Sequence, residues 1–62
     1  MDPTETLNII LNGLEELQDD PEDTLLKSDV ASHLINLAEW LSKGGAAPDV
    51  TEAFRKAGYE ES

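Results

Sequence analysis

The sequence predicts an all-α, three-helix domain. It reads as an antiparallel helical hairpin, about 3–18 and 21–43, followed by a short C-terminal helix at about 50–57. Three observations carry this. Apolar residues recur at three- and four-residue spacings, with no strand-like alternation. Each segment opens on an aspartate that can accept from free helical N–H groups. Gly44 and Gly58 stand where the second and third segments should stop.

In the first segment Asp2 is the expected cap, Pro3 the first helical residue and Glu5 early negative charge. Leu7, Ile10, Leu11, Leu14 and Leu17 form its stripe. Gly13 interrupts it, costing about 1 kcal/mol against alanine, and marks a close approach by another helix. Ile9 falls off the stripe. Gln18-Asp19-Asp20 is a link short enough to make the first two helices antiparallel neighbours.

The second segment is expected to organise the chain. Asp20-Pro21 reads as its start, with Glu22 and Asp23 against the positive end of the helix dipole. Leu26, Val30, Leu34, Leu37, Ala38 and Leu41 lie on one side of a wheel. Ser28-Asp29 offers an alternative cap, but the stripe stays in phase across it, which favours one continuous helix. The arc is wide: Ile35 lies at one edge, His33 and Trp40 at the other. The first helix would be about 24 Å long and the second about 34 Å. The excess, carrying Leu37, Trp40 and Leu41, needs another cover. The expected arrangement is therefore a long middle helix flanked by a shorter one on each side.

Gly44-Gly45-Ala46-Ala47-Pro48 reverses the chain. Asp49 and Glu52 have capping-box spacing, and Val50, Ala53, Phe54 and Ala57 make a short apolar face. Phe54 is expected to pack near Leu41 and Trp40. Tyr59 supplies the apolar contact that accompanies a glycine stop, and 59–62 is expected to fray.

Sixty-two residues allow one domain, spanning 1–62. Such a chain buries only roughly 60% of its unfolded surface. With no cysteine and a single histidine, neither a disulfide nor a closed zinc site can help. Helix packing and self-association remain.

Fourteen acidic residues against four basic ones give a net charge of −10. That argues against direct binding of nucleic acid or an anionic membrane, which need a basic footprint. It suits solubility, salt adaptation or a basic protein partner. No apolar run nears the ~20 residues of a membrane span, and no charged-then-apolar leader opens the sequence. The expected location is cytoplasmic.

Glu15, Glu16, Asp19, Asp20, Glu22 and Asp23 place six carboxylates within nine residues at the hairpin end. They read as a solvated turn or as an anionic contact surface for a basic partner. A calcium site is disfavoured, because the alternating ligands, central glycine and terminal glutamate of an EF-hand are missing. His33 has only Asp29 in helical reach, and no serine lies in a nucleophile motif. No cofactor is expected. Ile9, His33, Ile35 and Trp40 are the candidate interface residues, the isoleucines as off-stripe apolar groups and Trp40 as an aromatic anchor.

Leu34-x-x-Leu37-Ala38-x-Trp40-Leu41-x-x-Gly44-Gly45-x-x-Pro48 resembles a pattern in small, acidic, uncharacterised helical proteins of phages and bacteria. The resemblance covers about a quarter of the chain and implies a mobile-element origin, with residence in the host cytoplasm. It brings no activity.

Taken together, these features predict a small acidic protein–protein interaction module that self-associates as a homodimer and is not an enzyme. The alternative is a nucleic-acid-mimicking inhibitor that binds a basic host protein.

Overall fold

The computed structural model describes residues 1–59 as three helices: α1 (Pro3–Asp19), α2 (Thr24–Ser42) and α3 (Val50–Lys56). The expected fraying beyond α3 concerns residues 60–62, which lie outside the described residues. Tyr59 itself is anchored, as set out below.

Each helix starts on an aspartate. Asp2 accepts from the N–H groups of Thr4 and Glu5 at 3.1 and 3.2 Å, ahead of Pro3. Asp49 accepts from Glu52 N–H at 3.1 Å. The start of α2 differs from the sequence expectation. Its cap is Asp23, whose carboxylate accepts from Leu26 N–H at 3.0 Å, and the helix begins at Thr24 rather than Pro21. Asp20 and Pro21 instead open a tight turn, closed by Asp23 N–H donating to Asp20 C=O at 3.2 Å. Proline at the second position of such a turn has its φ already set. Once the turn takes Pro21, Asp23 is the next acceptor able to cap.

Both glycine stops close in the same way. Gly44 has φ 88° and Gly58 has φ 91°, in the left-handed region that favours glycine. Gly45 N–H then reaches Trp40 C=O at 2.9 Å, and Tyr59 N–H reaches Phe54 C=O at 3.0 Å. Gly44 and Gly58 donate to Leu41 and Arg55 C=O, each at 3.1 Å. This paired pattern is the Schellman motif, with its apolar contact in place. At α3 the Phe54 and Tyr59 rings meet edge to face, centroids 5.5 Å apart.

The α1–α2 hairpin is antiparallel and close. Gly13 is buried against Val30, and a Cβ at Gly13 would stand 2.5 Å from Val30 Cγ2. The close approach expected at Gly13 is therefore present. Ile10, Val30 and Leu37 form the buried seam, with Leu7, Leu17, Leu26 and Trp40 around it. The helix runs unbroken through Ser28-Asp29.

The third helix corrects the expected arrangement. α3 packs on α1, and among the described residues α2 and α3 make no helix–helix pairing. Phe54 meets Tyr59 rather than covering Leu41 and Trp40. The physical reason lies in small residues and local hydrogen bonds. Ala53 and Ala57 are buried against Leu11, letting the two backbones approach. Asp49 N–H donates to Thr4 Oγ1 at 2.9 Å, Asn8 Nδ2 to Ala53 C=O at 3.2 Å and Tyr59 OH to Leu11 C=O at 3.3 Å. Contact positions rise together along both helices, so α3 runs parallel to α1. The organising element is therefore α1, not the 21–43 segment. The order in space is α2, α1, α3, and the chain measures 34 × 30 × 13 Å. α1 lies between α2 and α3, which do not pair with each other. The protein is a single layer of helices.

Candidate interaction surface

A single layer has two faces, and helical phase assigns residues to each. On α1 the direction of α2 is marked by Gly13, Ile10 and Leu17, and the direction of α3 by Leu11 and Asn8. At about 100° per residue these directions are nearly opposed. Leu7 and Leu14 lie between them on one face; Glu5, Ile9, Asn12 and Glu16 occupy the other. On α2, Val30 and Leu37 point at α1. Leu34, Ala38 and Leu41 then project to the same face as Leu14. On α3, with Ala53 and Ala57 turned to α1, Val50 and Phe54 also fall there.

The outcome is a continuous apolar face left open to solvent. Leu14 is 41% exposed, Leu34 48%, Leu41 44%, Val50 53% and Phe54 37%. By helical phase two polar residues also fall within it, Lys27 between Leu34 and Ala38, and Gln18 beside Leu7. No helical carboxylate falls within the arc: Asp29 and Glu39 lie on other sides of α2, as Glu52 does on α3. Among the described residues the buried apolar side chains are Ile10, Leu11, Val30, Leu37, Ala53 and Ala57.

By helical phase Ile9, His33 and Trp40 lie on the face opposite Leu14 and Leu34, and Ile35 stands apart from them. Ile35 is 59% exposed on the outer edge of α2, pointing away from α1. Ile9 is 38% exposed on the opposite face of α1. His33 and Trp40 are half-buried at the lower rim of the seam. Trp40 is committed internally: Nε1–H donates to Ala46 C=O at 2.9 Å, and its ring lies over Gly45, where a Cβ would overlap the indole. His33 Nε2 sits 3.7 Å from Asp29 Oδ1, one helical turn earlier, in a largely solvent-exposed pair. Such pairs contribute little.

The six-carboxylate cluster lies at the α1–α2 turn. Asp23 serves as a cap, and the other five residues are exposed. The two ion pairs among the described residues, His33–Asp29 and Lys56–Glu52, do not draw on the cluster. Asn12, Glu15, Glu16, Asp19 and Ala57 line an open, polar surface hollow. Among the described residues no three His, Cys, Asp or Glu side chains converge as metal ligands, and no buried residue is polar or charged. None of the described helices is long and apolar enough to cross a membrane.

Sequence reasoning placed Leu14, Leu34 and Leu41 in the core stripe. The width of the arc was read from the sequence, and the expected cover was the third helix, which docks on α1 instead. Leu34 and Leu41 sit about 60° and 40° from Leu37 on the same side, while Trp40 sits as far on the other. One neighbouring helix cannot cover that whole arc. Protein-family models, curated proteins and solved structures give no match to the chain.

Proposed function

We propose that this chain is a non-enzymatic protein-interaction module that works through its apolar face and self-associates. One observation carries the reading. With α2 and α3 on different sides of α1, Leu14, Leu34, Leu41, Val50 and Phe54 are left in water. Domains are built from at least two packed layers around a shared core. With six buried apolar residues among those described and no cysteine, the lone chain has little to hold it. A partner would supply the second layer.

The non-enzymatic part of the reading draws on the polar groups. Among the described residues none is buried, so no nucleophile or base sits in a water-excluded environment that would tune it.

Sedimentation of the full chain from micromolar to millimolar concentration tests the reading. Average mass should rise from 6.8 kDa with concentration, and the melting temperature should rise with it. A 6.8 kDa species throughout, folded by circular dichroism, would overturn it.

A further inference from the structure

We infer that α3 is a releasable strap. It folds only while docked on α1, and it lets go as a unit at a hinge in Ala47-Pro48 while the α1–α2 hairpin stays folded.

Two separate cores make this possible. Ile10, Val30 and Leu37 hold α1 to α2, with Leu7, Leu17, Leu26 and Trp40 around them. Leu11, Ala53 and Ala57 hold α1 to α3, with Leu7 and Tyr59 around them. Among the described residues Leu7 alone borders both. Because α2 and α3 do not pair, the second core can open without disturbing the first. Units with separate contacts open separately, each at its own free energy.

The second core is the weaker. Burial stabilises in proportion to the apolar area removed from water. α2 brings Val30 and Leu37 into its seam, whereas α3 brings the single methyl groups of Ala53 and Ala57. The three hydrogen bonds that add to it come from or reach Thr4, Asn8 and Tyr59, all only half-buried side chains. Release therefore hands these groups to water and strands none of them.

Once undocked, α3 cannot persist. It has seven residues, where a lone helix needs roughly 12–15 to be even marginal in water. Docking and folding of this element are one event. The hinge is set by what stays behind. Gly45 N–H is bonded to Trp40 C=O and Trp40 Nε1–H to Ala46 C=O, each at 2.9 Å, so the chain is fixed to α2 as far as Ala46. The docked unit begins at Asp49, whose N–H meets Thr4 Oγ1. Ala47 and Pro48 lie between the two and absorb the change. Opening bares Leu11 and carries Val50 and Phe54 away from Leu14, so the strap governs which apolar side chains this side of the protein presents.

Hydrogen exchange of the full chain, read by NMR at one fixed concentration, tests this. The Ala53 and Ala57 amides should be at least roughly tenfold less protected than those of Val30 and Leu37, and within roughly threefold of each other, as a unit that opens together requires. Equal protection in α3 and the hairpin would make the chain one unit and overturn the inference. Protection falling steadily from Ala53 to Ala57 is end fraying and overturns it too. Ala53→Asp then places a carboxylate at a position 0% exposed against Leu11. Protection should vanish throughout α3. The hairpin should lose only the factor that docking contributed, equal to the protection of α3 in the parent, and keep at least roughly tenfold protection at Val30 and Leu37. Trp40 emission should not move, because its bond to Ala46 lies on the α2 side of the hinge. A variant that loses hairpin protection altogether, or keeps that of α3, overturns the strap. An intact hairpin with Trp40 emission shifted to the red overturns the position of the hinge.

Discussion

Gly13→Ala is the most informative single substitution. In an exposed helix this change stabilises, by about 1 kcal/mol. Here the new Cβ would meet Val30 Cγ2 at 2.5 Å, with Val30 Cβ and Leu26 Cδ1 at 3.9 Å. Carbon pairs prefer about 3.5–4.0 Å, so the overlap is at least roughly 1 Å. Val30 is buried and β-branched, and in a helix its χ1 keeps one rotamer about 90% of the time. Rotating it costs about 0.5–1.5 kcal/mol and drives a methyl into the seam with Ile10 and Leu37. The other escape separates α1 from α2 and loosens the whole seam. Overpacking of this kind costs about 1–3 kcal/mol. The local gain leaves a net loss of about 0–2 kcal/mol. Thermal unfolding followed by circular dichroism, at one fixed protein concentration, should show a melting temperature lower by up to roughly 15 °C. Val30→Ala alone should also destabilise, by about 1–3 kcal/mol. The double variant should lose about 1 kcal/mol less than the sum, because the added methyl occupies the space vacated. A Gly13→Ala protein more stable than the parent, or two strictly additive losses, would refute the close approach of the two helices.

The caps separate the two candidate starts of α2. Asp23→Ala should cost about 1 kcal/mol and Asp20→Ala less than about 0.5 kcal/mol, measured by urea unfolding. The reverse order would place the start at Pro21. Gly45→Ala should displace the Trp40 ring, release its bond to Ala46 C=O and shift tryptophan emission to the red. Gly44→Ala meets nothing within 4 Å but must hold φ 88°; it should cost about 1–2 kcal/mol and leave the emission unchanged. Raising salt from about 0.05 to 0.5 M should tighten self-association, because it screens repulsion between two copies of charge −10. The alternative, an anionic surface gripping a basic host protein, predicts the opposite sign: a captured partner released by the same salt.

Helix identity was legible because its signals are local. Asp2, Asp49, Gly44 and Gly58 act where the sequence places them, and the helical spacing of α2 carries through Ser28-Asp29. Gly13 could be read as a close approach because a glycine inside a helix needs a reason. The start of α2 was less legible, since Asp20 and Asp23 are equally good acceptors and only the turn around Pro21 separates them. The docking of α3 was not legible at all. It depends on three hydrogen bonds between residues 45 to 48 apart in the chain and on two alanines whose smallness counts only once α1 lies beside them. The interface candidates suffered in the same way. Trp40 looked like an anchor for a partner, and the loop it folds onto, Gly45-Ala46, reads in sequence only as a turn.

Where α3 docks decides what the rest of the surface must do. On α2 it would have covered Leu34 and Leu41, and three helices would have enclosed one core in a bundle. On α1 it extends the layer sideways. α1 then spends two nearly opposite sides on its neighbours and keeps Leu14 for a third contact, while α2 keeps Leu34, Ala38 and Leu41. Leaving that much apolar surface in water is unfavourable by about 25 cal/mol for each Å². Covering it with an acidic chain requires that the carboxylates be somewhere else. Among the described residues the helical carboxylates face away from it and the densest group is at the turn. A charge of −10 spread evenly would keep any two copies apart. Turned away from it, the helical carboxylates leave that face without negative charge to repel a partner.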